Sequence, residues 1–147
     1  IQATMEILLK KKNASIEYQV DVIDENNYIR ADFDKITMIL KNLIENGIIY
    51  NKSENPKIIV KITEGQDRYN FSVSDNGIGI PADEQYKVFE RFYRVDRART
   101  SNLGGTGLGL AIVKSLIEKY GGKITVVSEE GKGTTFEFYI SKWWKCE

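Results

Sequence analysis

The sequence predicts an α+β fold, in which about three helices pack on one face of a mixed sheet of about five strands. Segments with strand-like alternation occur in consecutive pairs, and helical segments separate these pairs. Strict alternation of single strands and helices is missing, which argues against a Rossmann domain. The length of 147 residues and the 41% hydrophobic content suit one compact domain.

The first half of the chain is predicted to contain a helix, two strands and a second helix. Residues 1–12 carry apolar side chains at helical spacing, while residues 15–22 and 27–32 alternate apolar and polar side chains as strands do. Asp32 is the predicted cap of the second helix. The apolar positions of that helix recur about one turn apart: Ile36, Ile39, Leu40, Leu43 and Ile44.

The second half is predicted to contain two hairpins, with a short helix and a longer helix between them. The short helix begins at Pro81, and a polar, glycine-containing stretch follows it. The longer helix, LGLAIVKSLIEKY, ends at Gly121 and Gly122. The four strands of the two hairpins are KIIVKITE, RYNFSVSD, KITVVSE and TTFEFYI.

The composition excludes several kinds of chemistry. The chain contains no histidine, so a Ser-His-Asp triad, a histidine general base and a histidine metal ligand are all excluded. A single cysteine, Cys146, argues against zinc and indicates a reducing compartment. Any metal must take oxygen ligands, which favours Mg²⁺ or Ca²⁺. Equal numbers of basic and acidic residues, 21 of each, argue against a nucleic-acid partner.

Two asparagines, Asn42 and Asn46, interrupt the apolar second helix. They are four residues apart and therefore share a helix face. Asparagine is a poor residue for a helix interior, and two on one face need partners for their amides. One interpretation is a solvated helix face. The other is a pair of carbonyl oxygens offered to a hard cation or to phosphate-bound water.

The segment DNGIGIP, residues 75–81, follows a predicted strand. A plain turn explains the Asn-Gly pair but not the second glycine or the two isoleucines. The functional interpretation is that Asp75 is a carboxylate at a strand end that accepts a hydrogen bond from a ligand amine. Gly77 and Gly79 would then let the backbone pass close to that ligand.

Two neighbouring stretches suggest an anion site. FERFYRVDRART, residues 89–100, contains four arginines and is either a charged helix end or an anion clamp. GGTGLGL, residues 104–110, is either a flexible linker or a phosphate-facing loop at a helix N-terminus. Its spacing does not match the Walker loop.

Together these motifs resemble the catalytic, ATP-binding domain of sensor histidine kinases, from about residue 15 to residue 140. This branch belongs to a family that also holds DNA gyrase, the heat-shock chaperone ATPases and the mismatch-repair ATPases. The matching motifs are NLIENGIIYN, DNGIGIP, FERFYRVD, GGTGLGLAIV and GKGTTF. The resemblance implies a two-layer Bergerat-type sandwich with an ATP lid, and ATP and Mg²⁺ as cofactors.

The resemblance also implies roles for individual residues. Asn46 would coordinate Mg²⁺, with Asn42 supporting the phosphate end. Asp75 would accept from the exocyclic amine of adenine, with Thr134 assisting. The remaining residues near the base would be Tyr50, Gly77, Gly79 and Ile80.

The phosphate end would be formed by a lid from about residue 95 to residue 105 and by the helix that follows. Arg94 and Arg99 resemble the arginines that reach the terminal phosphate. Backbone N–H groups would wrap the phosphates at Gly105, Gly107, Leu108 and Gly109. Phe89 and Phe92 would anchor the lid and face the phospho-accepting helices.

The lack of histidine in the chain agrees with this resemblance. The phospho-accepting histidine would lie on a separate dimerisation domain, and a response regulator would act downstream. Residues 1–14 would end the connection from that domain, and residues 15–147 would form a monomeric, cytoplasmic ATP-binding domain of a membrane-anchored parent. An ATP hydrolase or clamp and a non-catalytic nucleotide sensor are the alternatives. Asn42 favours the kinase, since the hydrolase branch typically carries a glutamate there as general base.

Two residues depart from the family pattern. Gly47 replaces the usual alanine and should loosen the helix by roughly 1 kcal/mol. Ile49 replaces the usual lysine or arginine, which is expected to weaken nucleotide binding.

Overall fold

The computed structural model describes residues 6, 9–21, 33–91, 93 and 109–142. Five strands form one sheet in the order β1-β2-β3-β5-β4. The strands are β1 (Ser15–Asp21), β2 (Lys57–Glu64), β3 (Arg68–Asp75), β4 (Lys123–Glu129) and β5 (Gly133–Ser141). The helices are α1 (Phe33–Ile49) and α2 (Gly109–Lys119), and residues 9–12 form a further helical turn.

The sheet is mixed, as the sequence predicts. β1 runs parallel to β2, and the long α1 provides the crossover that parallel pairing requires. The pairs β2–β3, β3–β5 and β4–β5 are antiparallel, so both predicted hairpins are present. The predicted strand at 27–32 and the predicted cap Asp32 lie outside the described residues.

The core lies between the helices and one face of the sheet. Along β3, Tyr69, Phe71 and Val73 are buried, whereas the residues between them are more exposed, as strand alternation requires. Phe71 stacks on Phe138 of β5 with ring centroids 4.6 Å apart. The helices add fully buried side chains to the same cluster, among them Ile39, Leu43, Ile48, Val113 and Ile117. Burial of each such side chain stabilises the folded state by about 1.5–3 kcal/mol. The prediction of an α+β fold is confirmed.

Helix α2 ends where the glycine pair predicts. The Gly122 N–H donates to the Ile117 carbonyl at 2.9 Å, and the Gly121 N–H donates to the Glu118 carbonyl at 3.1 Å. These two bonds form a Schellman motif, with Gly121 at a φ of 69°. The helix stops there and β4 begins at Lys123.

The segment after Pro81 differs from the prediction of a helix. It consists of turns around a short 3₁₀ helix, Gln85–Lys87. The cause is long-range: the Gln85 side chain donates to the carbonyls of Ile80 and Ser128, at 3.0 and 2.9 Å. These bonds hold the segment against β4 and close it into tight turns.

Among the described residues, no helix has the length and apolarity to cross a membrane.

Candidate functional site

The two asparagines lie on one face of α1, and Asn42 is close to the beginning of α2. The Asn42 side chain donates from Nδ2 to the Met38 carbonyl at 2.9 Å. Its Oδ1 therefore points away from its own helix, and it lies 3.1 Å from where a Cβ on Gly109 would stand. The half-buried Asn46 side chain forms no hydrogen bond with any of the described residues. Among the described residues, the Asn42 Oδ1 and the whole Asn46 amide thus have no hydrogen-bond partner.

The N-terminus of α2 lies beside Asn42. Gly109 is the first residue of an 11-residue helix, whose first N–H groups have no intrahelical acceptor. Such a terminus favours anions. The other residues predicted for the phosphate end lie outside the described residues: Phe92, Arg94, Arg99, Gly105, Gly107 and Leu108.

Asp75 occupies the last position of β3. Its Oδ1 accepts from the Gly77 N–H at 2.8 Å and from the Thr134 N–H at 3.2 Å. Oδ2 accepts from none of the described residues and lies 3.1 Å from the position of a Cβ on Gly47. Burial raises the pKa of Asp75 to about 6, although the two backbone hydrogen bonds oppose that rise. The carboxylate is therefore held rigidly through one oxygen and offers the other as an acceptor.

The loop after Asp75 is tied to both neighbouring layers. The Ile78 N–H donates to the Tyr50 carbonyl at 3.1 Å, and the Ile78 carbonyl accepts from Gly131 at 2.8 Å. Gly79 adopts a φ of 74°, and a Cβ there would lie 2.2 Å from the Glu129 carbonyl oxygen, so only glycine fits.

Tyr50 and Ile80, predicted to pack on the base, differ in exposure. Tyr50 is half-buried, whereas Ile80 is only 8% exposed and belongs to the core cluster. Most of the Ile80 side chain therefore supports the loop from beneath. A cleft of about 640 Å³ borders Gly77, Ile78 and Gly79, but neither Asp75 nor the two asparagines line it.

Sequence reasoning missed a polar cluster beside the loop, centred on the buried Asn51. Asn51 donates from Nδ2 to the Gly47 carbonyl at 3.1 Å and to Asn76 Oδ1 at 2.8 Å. Asn76 Oδ1 also accepts from the Lys57 N–H at 2.8 Å. Asn51 therefore ties the end of α1 to the loop and to β2. The available signal was an asparagine directly after a helix, a common position for a residue that closes the helix end.

Ser128 was also missed. It lies on β4 on the same side as the buried Ile124 and the partly buried Val126, so its hydroxyl faces the interior. The Ile80 N–H donates to Ser128 Oγ at 2.7 Å. A polar residue on the apolar face of a strand was the signal that could have revealed it.

Two further side chains complete the surroundings. Phe89 packs edge-on against Phe136 with ring centroids 6.1 Å apart, which anchors the segment before the undescribed residues to β5. Glu45, next to Asn46 in the sequence, lies 3.9 Å from Lys41 in an i,i+4 ion pair. Its carboxylate is thus engaged along the helix.

Comparison with known proteins identifies the family. The chain belongs to the histidine kinase-, DNA gyrase B- and HSP90-like ATPases, whose sequence pattern matches residues 31–143. The sensor histidine kinase WalK of Bacillus subtilis is 44% identical over 130 residues, which cover 88% of this chain and 21% of WalK. WalK of Staphylococcus haemolyticus is 42% identical over 116 residues, 78% of this chain and 19% of that protein. The chain thus spans about a fifth of the length of these relatives.

Solved structures agree with this assignment. The catalytic domain of the histidine kinase ThkA, in a nucleotide-free form, matches with a TM-score of 0.74 and 31% identity, over 96% of this chain and 87% of that one. Full-length ShkA in complex with AMPPNP matches with a TM-score of 0.73 and 30% identity, over 94% of this chain and 27% of that one. The resemblance to sensor histidine kinase catalytic domains is confirmed.

Proposed function

We propose that this chain binds Mg²⁺-ATP and positions the γ-phosphate for transfer to a histidine on a separate dimerisation domain. The observation that carries the proposal is Asp75, a half-buried strand-end carboxylate with Oδ1 fixed by two backbone donors and Oδ2 open among the described residues. An acceptor of this kind suits the exocyclic amine of adenine. The kinship with sensor kinases, and the ShkA complex with AMPPNP, support the same assignment.

The base end of the site would be formed by the loop after β3. Asp75 accepts from the adenine amine, and Thr134 stands beside it through the N–H that it donates to Asp75. Gly77 and Gly79 allow the backbone to approach the base, while Tyr50 and the core-packed Ile80 would border it. The ties of this loop to Tyr50 and Gly131 hold it in place, so little ordering would accompany binding at this end.

The phosphate end would lie where Asn42 and Asn46 meet the N-terminus of α2. Amide oxygens are suitable ligands for Mg²⁺, and the described residues contain no cluster of three acidic, histidine or cysteine side chains. The residues therefore fit an ion held by one protein oxygen, from Asn46, together with phosphate and water oxygens. When bound, Mg²⁺ would neutralise phosphate charge. The chain itself would orient the phosphates through Asn42 and the α2 N–H groups.

Phosphoryl transfer is favoured over hydrolysis by the surroundings of Asn42. An amide cannot accept a proton at neutral pH, and the Asn42 Nδ2 is already bound to the Met38 carbonyl. The nearest acid in the sequence, Glu45, pairs with Lys41. Neither Asn42 nor Glu45 is thus placed to activate water. The acceptor histidine would come from another domain, since these 147 residues contain none.

The cellular setting follows from the same proposal. Residues 1–14 would end the connection from the dimerisation domain, and residues 15–147 would form the nucleotide-binding unit. A response regulator would receive the phosphoryl group downstream. The unit would work in the cytoplasm as part of a membrane-anchored parent.

Isothermal titration tests the binding site. We expect ADP and a non-hydrolysable ATP analogue to bind the wild type, more tightly with Mg²⁺, and Asp75→Asn to bind at least tenfold more weakly, since a charge-assisted hydrogen bond contributes about 1.5–3 kcal/mol. Asp67→Asn, an exposed acid in the β2–β3 turn, is the matched control and should bind as the wild type does. Unchanged affinity in Asp75→Asn contradicts the adenine assignment.

Radiolabelled ATP tests the reaction. We expect the chain alone to release no phosphate at a steady rate and to label an added dimerisation domain on histidine, giving an acid-labile product. Steady hydrolysis by the chain alone would replace the kinase with the hydrolase alternative.

A further inference from the structure

Ser128 is the centre of a hydroxyl cluster beneath the adenine end of the site. Its Oγ accepts from the Ile80 N–H at 2.7 Å and donates to the Gly133 carbonyl at 2.9 Å. Thr134 Oγ1 lies 2.8 Å from the same oxygen. Three neighbours therefore share one serine hydroxyl, which links β4, β5 and the loop after β3.

The count of hydrogens decides the direction of the Ser128–Thr134 bond. A serine hydroxyl has one hydrogen and two acceptor lone pairs. The hydrogen of Ser128 is directed to the Gly133 carbonyl, so Ser128 Oγ must accept from Thr134 as well as from Ile80. The hydrogen of the Thr134 hydroxyl is then used. Toward any further partner, Thr134 Oγ1 can only accept.

Thr134 and Asp75 stand side by side at one end of the sheet. The Thr134 N–H donates to Asp75 Oδ1, and both side chains lie on the helix-facing side of their strands, in alternation with buried apolar residues. Thr134 is only 7% exposed. If a ligand gives its hydroxyl no suitable partner, water can hardly replace that partner, and the unmade hydrogen bond is costly. An ionised Asp75 and a Thr134 hydroxyl held in this orientation are both hydrogen-bond acceptors. A ligand group beside them must therefore be a donor to satisfy them.

We propose that Ser128 makes this site selective for 6-aminopurine nucleotides by holding the Thr134 hydroxyl in its acceptor orientation. The proposal rests on the nucleotide-binding function inferred above. A 6-amino group donates to the acceptor pair, either directly or through water. A 6-oxo group presents a further acceptor to this pair, and the donor that accompanies it, N1–H, stands one ring position away from the place of the 6-amino group. Ser128 acts as a positioning residue and needs no contact with the nucleotide.

Titration with ADP and IDP tests the proposal, at pH 8 so that Asp75 is ionised. We expect the wild type to prefer ADP, and Ser128→Ala to reduce the ADP-to-IDP affinity ratio about tenfold, because the released Thr134 hydroxyl can turn and donate to a 6-oxo group. Ser128→Thr keeps the hydroxyl and should keep the ratio. Ser74→Ala is the matched control: it removes a hydroxyl 2.9 Å from Thr135 Oγ1 on the opposite face of the sheet, and should change nothing.

The ratio separates this role from simple anchoring of the loop. An equal loss of affinity for ADP and IDP in Ser128→Ala would overturn the proposal, as would a wild type that binds both equally. If Ser128→Ala does not fold, Thr134→Val removes the same acceptor and must also lower the ratio. A wild type that binds neither nucleotide rejects the proposed function itself, and this inference with it.

Discussion

Replacing Gly47 with alanine sets helix propensity against packing. In a helix interior, alanine is more favourable than glycine by about 1 kcal/mol, so propensity alone predicts a more stable protein. A Cβ at this position would stand 2.6 Å from Ile58 Cδ1 and 2.9 Å from Asp75 Cβ. Overpacking of a dense core opposes folding by roughly 1–3 kcal/mol. We therefore expect Gly47→Ala to lower the free energy of unfolding by about 1 kcal/mol.

The two close contacts differ in how they can be relieved. Ile58 Cδ1 is the end of a flexible side chain and can rotate away, whereas Asp75 Cβ is fixed by the backbone of β3. α1 must then move away from β3 by a few tenths of an ångström. Asp75 Oδ2 is displaced relative to the asparagines on α1, so we expect ADP affinity to fall about threefold or more.

A double-mutant cycle with Ile58→Val measures the balance. Valine lacks Cδ1, so Gly47→Ala should be less destabilising by about 1 kcal/mol in that background, as measured by urea unfolding. ADP affinity, measured by titration calorimetry, should stay reduced because the contact with Asp75 Cβ remains. The packing argument is refuted if Gly47→Ala stabilises both backgrounds by about 1 kcal/mol and leaves ADP affinity unchanged.

Two further predictions concern Asp75 and Ile49. Burial raises the pKa of Asp75 from 3.8 to about 6 in the folded state, so protonation favours folding. The resulting stability, about 3 kcal/mol, is fully present below pH ~4 and is lost as the pH rises through ~6. The difference in unfolding free energy between Asp75→Asn and the wild type should therefore grow between pH 4 and pH 7, and parallel pH profiles would contradict this. Ile49→Lys should tighten Mg²⁺-ADP binding at least tenfold by adding a cation beside the phosphates. Ile49→Met is the uncharged control, and equal affinities of the two variants would reject the idea.

The sequence predicted the parts of this fold that depend on neighbours in the chain. Alternation located the strands, and the glycine pair located the end of α2, because both signals act over a few residues. The prediction of a helix after Pro81 was wrong, because the shape of this segment depends on a hydrogen bond from Gln85 to Ser128 of β4. Ser128 lies 43 residues further along the chain. No local pattern contains such a contact.

In the candidate site, too, residues related by local spacing could be predicted, whereas residues with distant partners were missed. Asn42 and Asn46 are one helical turn apart, so their shared face could be predicted from spacing. Ser128 and Asn51 were missed because their partners, Ile80 and Asn76, are 48 and 25 residues away. Asp75 and Thr134, 59 residues apart, were associated only through the family resemblance.

The hydrogen bond between Thr134 and Asp75 has a consequence for the order of folding. Gly77, the other donor to Asp75, is two residues away and can form its bond early. The Thr134 bond requires β3 to pair with β5, and contacts between such distant segments form late because closing a long loop has a high entropic barrier. A chain with both hairpins formed but unpaired therefore lacks one of the two donors that hold the Asp75 carboxylate. A nucleotide that binds only after β3 and β5 have paired would slow unfolding without speeding folding.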